Sequence, residues 1–109
     1  MKAAVINLRD ALVNTNEFNR LRALRKEIDG NPSLRTALAE YEQNMQKLNS
    51  IDPNDSRASA LMTRLREQHA GLERIPKTQE YLAAEQAFGT QFSNVVQSLH
   101  ELIYMAIKG

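Results

Sequence analysis

Few residues in this sequence could do acid–base, metal or nucleophilic chemistry, and their spacing narrows them further. There is no cysteine, which removes disulfides, thiolate metal sites, protein-held iron–sulfur clusters and cysteine nucleophiles together. His69 and His100 are the two histidines. His69 stands four residues before Glu73, and this is the one pair whose spacing sets two metal ligands on a single helix face. A helix rich in glutamate produces that spacing freely, so no metal site is expected and His69 reads as an exposed or seam-edge side chain. His100 and Glu101 are neighbours and face different ways on a helix, so His100 reads as exposed.

Glu85 sits between Tyr81 and Phe88, where the pattern otherwise places large apolar side chains. A carboxylate buried there needs a partner. Either the seam is open and Glu85 reaches water or an arginine, or it sets the register of a contact with another helix, as single polar seam residues do in coiled coils. General acid–base catalysis would need a second group and a pocket, and neither is indicated. Arg22, Arg25 and Lys26 fall within about a third of a turn, since each residue rotates ~100°. They are a candidate nucleic-acid contact. However, Glu27 and Asp29 adjoin them, and no glycine-rich loop or stacking aromatic pair accompanies them.

All of these residues fall on segments that read as helices. The chain has 109 residues, a mass of 12.4 kDa and a formal charge of +1, so no long-range field recruits nucleic acid or lipid. A single domain, residues 1–109, is expected. No stretch shows the two-residue alternation of a half-buried strand, and the fold class is all-α. Five helices are expected over approximately 3–13, 16–29, 32–49, 56–74 and 76–107. Thr15 or Asn16 can cap the second, and Gly30 suits a left-handed stop. Asn31-Pro32 is a strong start signal, because the Asn oxygen serves a free N–H and proline loses no hydrogen bond there. Asp52-Pro53-Asn54-Asp55 is the clearest turn and the natural bend of an antiparallel helical hairpin.

In the last helix Tyr81, Glu85, Phe88, Phe92, Val95, Leu99, Leu102 and Ala106 alternate spacings of four and three. A helix of about 30 residues is roughly 45 Å long, more than a globule of this size hides, so part of its stripe must meet another long helix or another subunit. A dimer is therefore expected, with Tyr81, Glu85, Phe88, Phe92, Val95, Leu99 and Ile103 as the partner surface. The first residues lack a secretory signal and no apolar run approaches the ~20 residues of a membrane span. A cytoplasmic protein with no membrane insertion is expected.

Two resemblances bear on function. Leu24-Arg25-Lys26-Glu27-Ile28-Asp29 resembles the opening of the long first helix of helical chorismate mutases, but Gly30-Asn31-Pro32 ends the likeness after six residues. A second resemblance covers nearly the whole chain. It rests on Asn16-Glu17-Phe18 with Leu21, on Asp29-Gly30-Asn31-Pro32 before a helix bearing Leu38 and Tyr41, and on Leu82-Ala83-Ala84-Glu85-Gln86 running into a tail with Leu99, Leu102 and Ile103. Their order resembles the YlbF/YmcA family of small bacterial helical proteins, and within it the cysteine-free YheA-like branch.

That resemblance implies a long α-hairpin with two shorter N-terminal helices, associating as a homodimer or with related family proteins. It implies a regulatory adaptor, since some members act in a complex that influences sporulation, competence and biofilm formation through mRNA processing. The iron–sulfur clusters that certain members hold on cysteines do not carry over to this chain. The expectation is a non-enzymatic adaptor without cofactors, acting through helix packing. The alternative is an RNA-binding accessory protein using Arg22, Arg25 and Lys26.

Overall fold

A computed structural model describes residues 1–109 as five helices that take up 88% of the chain, with no strand. They are α1 (Lys2–Val13), α2 (Asn16–Asp29), α3 (Pro32–Ser50), α4 (Ser56–Glu73) and α5 (Pro76–Lys108). Local side-chain chemistry sets most of the breaks. The Thr15 hydroxyl donates to the Leu12 carbonyl at 2.7 Å and accepts from the Phe18 N–H at 3.3 Å. Thr15 thus ties back to the last turn of α1, whose C-cap is Asn14, and caps α2, so of the two capping candidates Thr15 is the one used.

The α2–α3 junction departs from expectation in one detail. Gly30 has no positive φ. The chain leaves α2 through a tight turn in which the Asn31 N–H donates to the Ile28 carbonyl at 2.9 Å. A Cβ on Gly30 would meet only backbone carbonyls at 3.5 and 3.6 Å, ordinary contact distances, so the left-handed stop is not what holds this turn. Asn31 then caps α3 as its type requires, its side chain accepting from the N–H groups of Ser33 and Leu34, with Pro32 opening the helix.

Between α3 and α4 the Asp52 carboxylate accepts from the Asn54 N–H at 2.9 Å, an Asx turn. Asp55 caps α4 by accepting from the Arg57 N–H. Helices α3 and α4 pack against each other. At the α4–α5 junction the fully buried Thr78 hydroxyl donates to the Leu72 carbonyl. This leaves no orphan hydroxyl in a buried place, where one would cost free energy.

Contacts divide the chain into two compact units, and α2 and α5 each run through both. The central unit is Leu24–Leu82; the terminal unit joins Met1–Ala23 to Ala83–Gly109. In the central unit Leu24, Ile28, Leu38, Ala58, Leu72 and Tyr81 are buried, with Ile28 and Leu38 almost completely enclosed. In the terminal unit only Leu12 and Ala84 are buried, and the Phe18 and Phe88 rings meet at 5.5 Å. No helix is long and apolar enough to cross a membrane.

Candidate functional site

The central unit organises its charges around Arg25. This half-buried guanidinium makes a two-pronged pair with Glu42, Nη1 to Oε2 at 2.8 Å and Nη2 to Oε1 at 3.1 Å. It also donates to the Tyr81 hydroxyl at 3.1 Å and to Asp29 at 3.2 Å, and lies 5.6 Å from the centre of the Tyr81 ring. The hydrogen bonds to Glu42, more than any other influence, raise the Arg25 pKa above its already high ordinary value, against the lowering effect of burial. The planar fork of arginine suits this role, because a carboxylate accepts from it at two points.

Arg25 therefore differs from the two cations read beside it. Arg22 and Lys26 are exposed, whereas the charge of Arg25 is shared with Glu42 and Asp29. The three do not form one patch open to phosphate. Tyr81 changes in the same way: it is 5% exposed and joined to Arg25, so it serves the inside of the central unit and is not offered to a partner. Sequence spacing could not reveal this, since Arg25 and Tyr81 are 56 positions apart.

His69 and Glu73 approach to 3.6 Å with both side chains roughly half exposed, and the His69 ring lies 6.0 Å from that of Tyr41. No group of three or more His, Cys, Asp or Glu side chains stands together as a metal site would need. Glu85 is exposed on α5, so the seam is open to solvent at this point. His100 is exposed as well and lines a shallow depression with Val96, Gln97 and Tyr104.

What remains is the apolar stripe of α5, and it divides in two. Phe88 is half-buried beside Phe18. Beyond it Phe92 is 46% exposed, Leu99 49% and Ile103 50%, with only Val95 partly sheltered. Leu102 on the stripe is exposed too, and exposure extends past it: Val96, Tyr104, Met105 and Ile107 are uncovered on the same helix, and Val5, Ile6 and Leu8 on α1. Leu8 joins Val95, Leu99 and Leu102 in an open apolar groove of about 410 Å³, with Gln91 and Asn94 at its edge. Twelve of the fifteen exposed large apolar side chains belong to the terminal unit. The heptad-like spacing marked Phe92, Val95, Leu99 and Ile103; the contribution of Leu8 needed the three-dimensional placement of α1.

Comparison with known proteins places this helical chain in a family. A family model described as control of competence regulator ComK, YlbF/YmcA, matches residues 2–107. The chain belongs to this family of regulatory proteins. No curated protein and no solved structure gives a match.

Proposed function

We propose that this protein is a non-enzymatic cytoplasmic adaptor that works by helix packing, as a homodimer or with related members of its family. The observation that carries the reading is the end of α5, where Phe92, Leu99, Leu102 and Ile103 stand uncovered. A helix apolar on several faces is normally found buried, and a patch of this kind on a soluble protein marks an association surface. Helices α3 and α4 supply the antiparallel hairpin of the scaffold, and the terminal unit supplies the face that binds. Family membership supports a regulatory role in bacterial development or RNA processing. An RNA-binding role through Arg22, Arg25 and Lys26 has less behind it, because Arg25 is held by Glu42 and Asp29.

Replacing Phe92 or Leu102 with aspartate tests the reading. Both side chains are substantially exposed in the single chain, so each variant should keep its helical circular dichroism while losing its partner copy in sedimentation. If Phe92→Asp proves too disruptive, Leu102→Asp, 65% exposed, still reports on the same face. Variants that remain folded with unchanged assembly would refute the proposal.

A further inference from the structure

A second surface, wholly within the central unit and independent of the α5 face, has its own chemistry. The last turns of α3 and the first of α4 enclose an open groove of about 550 Å³. It is lined by the apolar Ile51, Ala60 and Leu61, by Ser50, and by the cationic Lys47, Arg57 and Arg64. No carboxylate lines it. The order on α4 is regular: Arg57, Ala60, Leu61 and Arg64 occupy positions i, i+3, i+4 and i+7, which share one helix face. Arg57 and Arg64 therefore stand on either side of Ala60 and Leu61 along the helix, their backbone positions about 10.5 Å apart along the axis, and Lys47 of α3 lines the same groove.

The three cations are not equally engaged. Arg57 is paired with Asp55 at 2.8 Å, while Lys47 and Arg64 make no ion pair. The central unit as a whole has equal numbers of basic and acidic side chains, nine of each, and the uncompensated charge at this groove is that of Lys47 and Arg64 beside Ile51, Ala60 and Leu61.

We propose that this groove docks an acidic amphipathic helix of a partner protein, its leucine-like side chains on Ile51, Ala60 and Leu61 and its carboxylates against the unpaired Lys47 and Arg64. In helix-in-groove recognition the docked helix lays its apolar face into a groove, and here α4 offers Ala60 and Leu61 on the face it shares with Arg57 and Arg64. The rim charges set selectivity and association rate more than affinity.

The test is fluorescence anisotropy at low salt with the full-length protein and a synthetic helical peptide carrying two glutamates seven residues apart and leucines between them. Saturable binding is expected that weakens as salt rises, and that falls at least about tenfold in the double variant Lys47→Glu with Arg64→Glu, which turns two attractions into repulsions. Both positions are exposed and free of ion pairs, so the variant should fold. The same peptide with glutamine in place of glutamate should bind about tenfold more weakly to the unaltered protein, a comparison that needs no variant. Equal affinity for the two peptides, binding unmoved by the double variant, or no saturable binding overturns the proposal. So does binding to phosphatidylglycerol vesicles in place of the peptide.

Discussion

Arg25 and Glu42, 17 positions apart, meet as a two-pronged ion pair with Nη1 2.8 Å from Oε2 and Nη2 3.1 Å from Oε1. The pair links α2 to α3, and through the Tyr81 hydroxyl it reaches α5 within the central unit. Its two side chains are about a third exposed, so water screens part of the attraction. The fork geometry and the Tyr81 contact are what distinguish it from an ordinary surface pair.

Arg25→Lys should therefore cost about 1 kcal/mol, because an ammonium cannot serve Glu42 at two points and Tyr81 and Asp29 as well. Arg22→Ala and Lys26→Ala, at exposed positions, should each move stability by less than about 0.5 kcal/mol. Urea unfolding of the three variants checks this contrast. Equal effects at all three positions would mean that the Arg25 network contributes nothing particular.

The enclosed core makes a larger claim. Leu38 is 1% exposed, and Leu38→Ala should cost about 2 to 5 kcal/mol through lost burial and the cavity left behind. Chemical denaturation of the variant would reveal a loss below this range if neighbouring side chains closed the space. At the start of α3, Asn31→Ala should cost about 0.5 to 2 kcal/mol, since two backbone N–H groups lose their acceptor.

Asp55 supplies the pH-dependent element. Side-chain hydrogen bonds from Arg57, then the Arg57 backbone N–H, hold its pKa down to about 2, below the ordinary aspartate value of about 3.9. A lowered folded-state pKa favours the folded state above the ordinary value, and that contribution disappears as pH falls from about 4 through about 2. Carboxyl chemical shifts followed by NMR should place the Asp55 midpoint near 2. In Arg57→Ala the midpoint should rise but stay below the ordinary value, because the backbone N–H still donates. A midpoint of about 4 in the unaltered protein would contradict the capping geometry.

Much of the fold could be read from local chemistry. Asn31-Pro32 and Asp52 to Asp55 act on their own backbone within two or three residues, so they mark helix ends wherever the rest of the chain lies. The Thr78 hydroxyl bond reaches six residues back to Leu72, and nothing in a single threonine announces it. Arg25 lay further out of reach, since its partners Glu42 and Tyr81 come from distant positions, and a run of basic residues looks the same whether its charges are free or paired. The α5 stripe was legible as apolar periodicity, yet periodicity cannot say which turns a chain covers for itself. Tyr81 and Phe92 share the pattern; one is enclosed and the other is open.

The open half of α5, with Phe92, Leu99, Leu102 and Ile103 uncovered, is proposed to pack on a second copy of the chain. Light scattering on the purified protein across micromolar concentrations tests it most directly. A mass of twice the chain's 12.4 kDa is expected, falling toward the single-chain value only on dilution. A stable, fully folded monomer throughout that range would contradict it.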